Sequence, residues 1–171
     1  MPFNIELKAR CSDPTTIERI LTEHNADLIG TDHQIDTYFN VQHGRLKLRE
    51  GNIENALIHY ERENLSGPKK ASVILYKSDP HSSLKGILET ALGVLAVVDK
   101  QRKIFFIGNV KFHIDEVRGL GSFVEIEAID KDGNNTEQKL LEQCTHYKYV
   151  LGIQDADLLT DSYSDMVLAK L

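Results

Sequence analysis

Apolar and polar residues alternate along much of this chain, which is the pattern expected of β-strands with one buried face. Residues 4–10 show it most clearly, because their apolar and charged side chains fall on opposite faces of an extended segment. The same alternation predicts strands over residues 31–41, 45–50, 55–63, 71–77, 94–107, 109–117 and 122–129. Short turns that contain glycine separate several of these segments, so we expect antiparallel hairpins.

A few segments follow the helical period instead. Helices are expected over residues 14–24, 79–92 and 136–150, and a short helix is expected after Asp161. Paired strands with a few helices between the hairpins are typical of the α+β class. So many strands in so short a chain favour an antiparallel sheet that curls into a barrel, with the helices packed outside.

The composition narrows the class of protein. A chain of 171 residues can bury a substantial core, and we expect residues 1–171 to form a single domain. The net charge of −6 argues against nucleic-acid binding, which normally requires a basic surface. No apolar run approaches the length of a membrane span, and the first ten residues do not resemble a signal peptide. A cytoplasmic protein with no membrane association is therefore expected.

Charged residues of one sign recur two positions apart on the predicted strands. The clearest pairs are Lys47 with Arg49, Lys100 with Arg102, and Glu125 with Glu127. In a strand this spacing places both side chains on the same face, roughly 7 Å apart. The charged faces could simply be solvated, as is common in open antiparallel sheets. Their segregation by sign favours a binding lumen, because like charges repel without a counter-charge or a ligand.

A lumen of this kind has the chemistry to hold a triphosphate and a metal ion. Phosphate oxygens accept strong hydrogen bonds from cationic side chains, and the candidate donors are Lys8, Arg45, Lys47, Arg49, Arg62, Lys100 and Arg102. Mg²⁺ takes oxygen ligands from carboxylates and substrate, so Glu125 and Glu127 are the expected centre of a metal site, with Glu6 and Asp115 as partners. The sequence has neither a Walker-type loop nor a serine nucleophile motif.

Several of these residues have a simpler interpretation. Asp115 could pair with Lys111 or Arg118, and Glu6 with Lys8. Lys69 and the lysine after it could be ordinary loop charges. The histidines show no zinc spacing, so His113 is expected to be a lumen or hydrogen-bonding residue rather than a ligand.

The motifs resemble the CYTH superfamily, which groups class IV adenylyl cyclases with thiamine and inorganic triphosphatases. The resemblance begins with Asn4-Ile5-Glu6-Leu7-Lys8, which is similar to the E-x-E-x-K signature of that family. It continues in order through residues 36–39, 43–49, 60–62, 67–69, 100–102, 113–115, 123–127 and 162–165. One position departs from the signature, since Asn4 stands where a glutamate is expected and offers no charge to a second metal.

The resemblance implies an eight-stranded antiparallel barrel that binds a triphosphate in its tunnel, with Mg²⁺ or Mn²⁺ as cofactor. It implies a metal site at Glu6, Asp115, Glu125 and Glu127. It implies phosphate binding by Lys8, Lys47, Arg49, Arg62, Lys100 and Arg102, and we expect Arg45 and Lys69 to bind phosphate as well. Tyr163 is expected to join them from a C-terminal segment that closes the tunnel, and the candidates for catalytic roles are Lys8, Arg62 and Lys100.

Two reactions and one binding role are compatible with such a site. The motif order is most similar to class IV adenylyl cyclases, which convert ATP to cyclic AMP and pyrophosphate. The alternative is a triphosphatase acting on inorganic triphosphate or an organic triphosphate such as thiamine triphosphate. A module that binds nucleotide or polyphosphate without turnover is a further alternative. The partner is a small triphosphate in each case, and a homodimer is one option for the oligomeric state.

Overall fold

The protein consists of eight antiparallel strands in one sheet that closes into a ring, as a computed structural model of residues 3–171 shows. The strands, numbered β1 to β8 along the chain, are Phe3–Arg10, Asp27–Phe39, Arg45–Glu50, Asn55–Arg62, Lys69–Lys77, Val94–Ile107, Val110–Val117 and Gly121–Ile129. Around the ring their order is β1-β5-β4-β3-β2-β6-β7-β8. The predicted α+β class with an eight-stranded antiparallel barrel is therefore confirmed.

Four helices accompany the ring within the described residues, and they are numbered α1 to α4 along the chain. Their bounds are Pro14–Glu23, Leu84–Leu92, Glu137–Val150 and Tyr163–Ala169, and a single 3₁₀ turn covers Asp155–Asp157. Within residues 3–171, none of these helices combines the length and the apolar character needed to cross a bilayer.

Two element boundaries differ from the sequence prediction by at least four residues. Strand β2 begins at Asp27 rather than at residue 31, because its first residues pair with β6 across a register shift at Gly30 that breaks the alternation. Helix α2 begins at Leu84 rather than at residue 79. His81 adopts a left-handed backbone conformation with φ of 68°, which a right-handed helix cannot contain.

The main core lies outside the ring, between the sheet and two helices. Helix α1 packs on β7 and β8, and helix α3 packs on β1 and β8. The apolar faces of these strands supply fully buried side chains such as Leu7, Phe112 and Ile126, and Leu140 of α3 covers them. Burial of each such side chain contributes about 1.5–3 kcal/mol. Since successive side chains of a strand alternate, the opposite, charged faces of β1, β7 and β8 must point into the ring.

A second apolar cluster lies at one end of the ring, where α4 packs against β6. Tyr163, the first residue of α4, joins Tyr38, Val98 and Phe123 in this cluster. The helix is held by a capping box, in which the Ser162 hydroxyl accepts a hydrogen bond from the N–H of the third helical residue. The C-terminal segment thus lies across this end of the ring.

Candidate functional site

A cavity of about 420 Å³ fills the interior of the ring. Its size falls in the range that accommodates small organic ligands, roughly 300–1,000 Å³. Within the part of the chain that the structure describes, eight cationic side chains face it: Lys8, Lys47, Arg49, Arg62, Lys77, Lys100, Arg102 and Lys111. Four carboxylates of the same residues 3–171 face it as well, from Glu6, Glu54, Glu125 and Glu127. The cavity therefore carries an excess of positive charge in a chain whose net charge is −6.

The carboxylates of β1 and β8 form an acidic wall. Antiparallel pairing sets Glu6 opposite Glu127 and Lys8 opposite Glu125. Burial raises the pKa of the Glu127 carboxyl well above its ordinary value, and the neighbouring Glu125 raises it further. Burial alone would raise the pKa of Glu125 too, but the Lys8 ammonium at 3.5 Å and other neighbours hold it well below the ordinary value. The pKa values of the two glutamates are thus shifted in opposite directions.

His113 on β7 completes this group, because it pairs with Glu125 across the sheet. One ligand atom from each of His113, Glu125 and Glu127 lies within 4.8 Å of the others. The imidazole is 1% exposed, and burial together with the Arg102 charge lowers its pKa to about 3. Among residues 3–171 neither ring nitrogen has a hydrogen-bond partner. We call His113, Glu125 and Glu127 the acid group.

Asp36 on β2 organises a basic wall on the neighbouring strands. Arg49 donates to both carboxylate oxygens of Asp36 at 2.9 Å, and Lys100 Nζ donates to Oδ2 at 2.7 Å. Lys47 Nζ lies 3.3 Å from the same oxygen. Burial opposes ionisation, but these three cations hold the pKa of Asp36 well below its ordinary value. One carboxylate is shared by three cations, so the wall keeps a positive charge that a polyanion can neutralise.

Asp115 on β7 is fully engaged with other side chains. Arg102 donates to both of its oxygens at 2.7 Å, and the Tyr163 hydroxyl donates to Oδ2 at 2.6 Å. Burial would raise the pKa of Asp115, but Arg102 lowers it to about 2. The carboxylate therefore fixes the Arg102 guanidinium and joins it to α4.

Cationic side chains also contact the segment at the end of the cavity next to α4. The Lys8 ammonium lies 3.6 Å from the centre of the Tyr163 ring. Arg62 donates to the backbone carbonyl of Thr160 at 3.1 Å and lies 3.9 Å from Glu6. Arg62 therefore spans from the acidic wall to the segment that precedes α4.

The loop between β3 and β4 supplies Glu54 to the cavity. Asp32 holds this loop by accepting hydrogen bonds from the backbone N–H groups of residues 52, 53 and 54 at 2.6, 2.9 and 2.9 Å. Glu54 pairs with Lys111 and lies 3.4 Å from Arg49. Burial would raise its pKa, but these neighbours lower it strongly, so Glu54 remains ionised and links the loop to the basic wall.

The wall formed by β4 and β5 is apolar over much of its length. Ala56, Ile58, Ala71, Val73 and Leu75 all face the cavity. A ligand that reaches the charged walls therefore has an apolar surface beside it, which can accommodate an organic group.

The chain matches the CYTH domain family over residues 2–163. The protein belongs to the CYTH domain family. The predicted resemblance is confirmed, and known CYTH proteins are adenylyl cyclase-like or triphosphatase enzymes that generally depend on a divalent metal. No curated protein sequence is similar enough to this chain to count as a match.

Three solved structures illustrate the CYTH fold of this protein. The PH1012 protein from Pyrococcus horikoshii is 24% identical, with a TM-score of 0.77 over 96% of this chain and 99% of that one. An adenylate cyclase candidate from Vibrio parahaemolyticus is 19% identical, with a TM-score of 0.71 over 98% of each chain. HpAC1 from Hippeastrum, an adenylyl cyclase candidate described as revealing a dominant triphosphatase activity, is 12% identical, with a TM-score of 0.62 over 99% and 96%. At these identities the similarity shows the fold alone.

Most of the predicted site residues of this CYTH chain face the cavity together. They are Glu6, Lys8, Lys47, Arg49, Arg62, Lys100, Arg102, Glu125, Glu127 and Tyr163. Asp115, Arg45 and Lys69 lie outside the lining. Arg45 donates two hydrogen bonds to Asp165 of α4, at 3.1 and 2.9 Å. Lys69 is no loop charge: it is 1% exposed at the start of β5 and donates to the Leu159 carbonyl at 3.1 Å.

The simpler ion pairs weighed from the sequence are replaced by others. Asp115 binds Arg102 rather than Lys111 or Arg118. Sequence reasoning missed the structural role of Asp36, which lies within a matched motif but on a strand without a like-charge pair. It also missed Glu54, because this residue lies in a loop, where the alternation of a strand gives no information. The position of the loop depends on Asp32, which lies on another strand.

Proposed function

We propose that the protein is a metal-dependent enzyme that acts on a triphosphate inside the ring, with the conversion of ATP to cyclic AMP and pyrophosphate as the first candidate reaction. The observation that carries this proposal is the cavity itself, in which eight cations surround a small group of carboxylates. Catalysis of phosphoryl transfer consists mainly of positioning and charge neutralisation, which such a cavity supplies.

The basic wall is the proposed binding surface for the phosphates. Lys47, Arg49 and Lys100 share the single carboxylate of Asp36. The three cations carry more positive charge than the one carboxylate can neutralise. A triphosphate that enters the cavity supplies the missing negative charge and leaves the contacts to Asp36 intact. Arg102 is held in one orientation by Asp115, so its guanidinium is already positioned for a phosphate. Lys8 and Arg62 approach from the end next to α4.

Glu6, Glu125 and Glu127 are the residues that would hold the divalent cation, with Mg²⁺ or Mn²⁺ as the expected ions. The donor set fits a cation, because burial and mutual repulsion raise the pKa of Glu127 and of Glu6 when none is bound. When bound, a divalent cation neutralises charge on the phosphates and lowers the pKa of the attacking hydroxyl. Lys8 keeps Glu125 ionised and so keeps one ligand ready for the ion.

The apolar wall supports an organic triphosphate over an inorganic one. Ile58, Val73 and Leu75 line the cavity beside the charged walls, and burial of a nucleoside against them would be favourable by the hydrophobic effect. This wall is the reason to rank the cyclase-like reaction first.

Hydrolysis of a triphosphate is the second candidate. The same apolar wall offers few hydrogen-bonding groups to read a base, whereas the polar side chains converge on a region suited to the phosphates. A site of this kind would accept several triphosphates and would transfer the terminal phosphoryl group to water. HpAC1, which shares the fold, is described as having a dominant triphosphatase activity.

A product assay tests these alternatives directly. The protein is incubated with ATP, thiamine triphosphate or inorganic triphosphate in the presence of Mg²⁺ or Mn²⁺, and the products are separated and identified. Cyclic AMP with pyrophosphate is the expected result, and orthophosphate would replace the first candidate with the second. Tight binding of a triphosphate without any product would instead support the non-catalytic binding module.

A further inference from the structure

His113 is the feature of the cavity that the proposed phosphate chemistry does not use. It lies on β7, opposite Glu125, and its ring faces the cavity. Nδ1 is 3.5 Å from Glu125 Oε1 and 3.9 Å from Glu127 Oε1. Both distances exceed the usual length of a hydrogen bond to nitrogen. The ring thus approaches two carboxylates without a hydrogen bond of ordinary length to either.

An unpaired imidazole in this position is costly for the fold. The side chain is 1% exposed, and within the described part of the chain both ring nitrogens are buried without a hydrogen-bond partner. Buried polar atoms of proteins are nearly always hydrogen-bonded, so each exception requires an explanation.

Metal coordination accounts for one of the two ring nitrogens that lack a partner. One imidazole nitrogen and two carboxylate oxygens lie within 4.8 Å of one another, close enough for a single ion to reach all three. Three protein ligands with an open position for a further ligand are typical of catalytic zinc sites. Mg²⁺ prefers oxygen ligands in octahedral geometry, whereas imidazole is a favourable ligand for the divalent ions of the first transition series.

Asn4 points the same way. It lines the cavity two residues before Glu6 on β1, and its buried amide oxygen has no hydrogen-bond partner among residues 3–171. Its side chain brings no charge to the acidic wall. With asparagine in place of the glutamate of the family signature, the wall has one carboxylate fewer. A site with fewer carboxylates and a nitrogen ligand is less suited to a hard cation such as Mg²⁺.

We propose that His113 is a metal ligand, that it binds together with Glu125 and Glu127, and that this donor set selects a divalent transition-metal ion such as Mn²⁺ or Co²⁺ over Mg²⁺. The inference rests on the proposed function only in taking Glu125 and Glu127 as ligands of the ion. It assigns a role to a residue that sequence reasoning had placed as a hydrogen-bonding side chain of the lumen.

The decisive measurement detects nitrogen bound to the ion. Metal-free protein is loaded with one equivalent of Mn²⁺ without any triphosphate, and electron spin-echo envelope modulation is recorded. The expected result is a ¹⁴N modulation from a coordinated imidazole. It should disappear in His113→Ala and persist in His146→Ala, a control that removes an exposed histidine of α3. Absence of ¹⁴N modulation in the unmodified protein, or its persistence in His113→Ala, would overturn the proposal.

Selectivity is measured separately by calorimetric titration with Mn²⁺ and with Mg²⁺. We expect tighter binding of Mn²⁺, and a loss of about 10–100-fold in Mn²⁺ affinity in His113→Ala, with a much smaller change for Mg²⁺. Equal or tighter binding of Mg²⁺ in the unmodified protein would overturn the claim of selectivity. Both measurements omit substrate, so turnover assays that fail would count against the proposed function and not against the ligand assignment. The spectrum of the unmodified protein decides even if the variant does not fold.

Discussion

Replacing Asp36 by asparagine removes the one carboxylate that three buried cations share. Asp36 is 1% exposed, as is Lys100, and Arg49 and Lys47 are only 9% and 14% exposed at the side chain. Asparagine has nearly the same shape, so the change affects charge and hydrogen bonding rather than packing. The variant leaves the three cations close together, with Glu54 beside Arg49 as the remaining counter-charge.

The expected effect is a large loss of stability. Breaking a buried ion pair by removing one partner typically costs about 3–5 kcal/mol. In a protein of this size, 1 kcal/mol corresponds to roughly 2–4 °C in the melting temperature, so the variant should melt roughly 6–20 °C lower. Because the folded-state pKa of Asp36 is depressed, its stabilising effect is present above the ordinary carboxyl pKa and is lost as the pH falls through the folded value. The difference in stability between Asp36→Asn and the unmodified protein should therefore reach its full size at neutral pH.

Thermal unfolding with and without inorganic triphosphate provides the assay. A ligand present at ~100 times its dissociation constant stabilises the folded state by about 2.7 kcal/mol. At one fixed concentration we expect triphosphate to raise the melting temperature of Asp36→Asn more than that of the unmodified protein, because the ligand supplies the charge that the variant lacks.

A matched control is Asp99→Asn, which removes a carboxylate that is 30% exposed and pairs with His33 and Arg118 at the surface. Exposed ion pairs contribute about 0–1 kcal/mol, so this variant should melt close to the unmodified protein. The reasoning is refuted if Asp36→Asn also melts within about 2 °C of the unmodified protein. It is equally refuted if triphosphate stabilises the two proteins by the same amount.

Three further changes test other parts of the site. Glu127→Gln should abolish metal-dependent turnover in the product assay while the melting temperature without metal stays the same or rises, since burial and the nearby Glu125 both disfavour a charge at this position and glutamine carries none. Activity equal to that of the unmodified protein would contradict its role as a ligand. Tyr163→Phe should cost roughly 1.5–3 kcal/mol in chemical denaturation, because Asp115 loses a buried hydrogen bond of 2.6 Å; an unchanged midpoint would rule that bond out as a contributor. Gly51→Ala should lower both stability and triphosphate affinity, because the new Cβ would lie 2.6 Å from an Asp32 oxygen and would displace the loop; unaltered values for both would show that the loop absorbs the methyl group.

The sequence predicts the strands and the inward faces well, because both depend on local alternation. Arg45–Glu50 and Val94–Ile107 match their predicted bounds, since each carries an unbroken pattern between clear turns. Helix α2 was placed too early because the dipeptide at residues 79–80 resembles a helix start, and only the left-handed conformation of His81 excludes it. Backbone conformations of that kind leave little trace in the pattern of apolar residues.

The pairing between charged residues was much harder to predict. The spacing of two shows that Lys100 and Arg102 share a face, but it cannot show that Lys100 binds Asp36 while Arg102 binds Asp115. Those partners depend on strand order around the ring, where β6 lies between β2 and β7. The lack of a hydrogen-bond partner for His113 among residues 3–171 could not be predicted either, since it depends on which side chains the neighbouring strands place beside the ring.

The position of β1 has a consequence for how the protein folds. It is the first strand of the chain, yet it pairs with β8, so the ring cannot close until residue 129 is available. Pairing of segments so far apart in sequence is slow, because the entropy of the long intervening chain is lost before contacts form. The same pairing brings Glu6 beside Glu127. The acidic wall is therefore assembled only when the ring closes, and a chain whose synthesis stops before β8 holds the cationic side chains of the cavity without the carboxylates of the acid group.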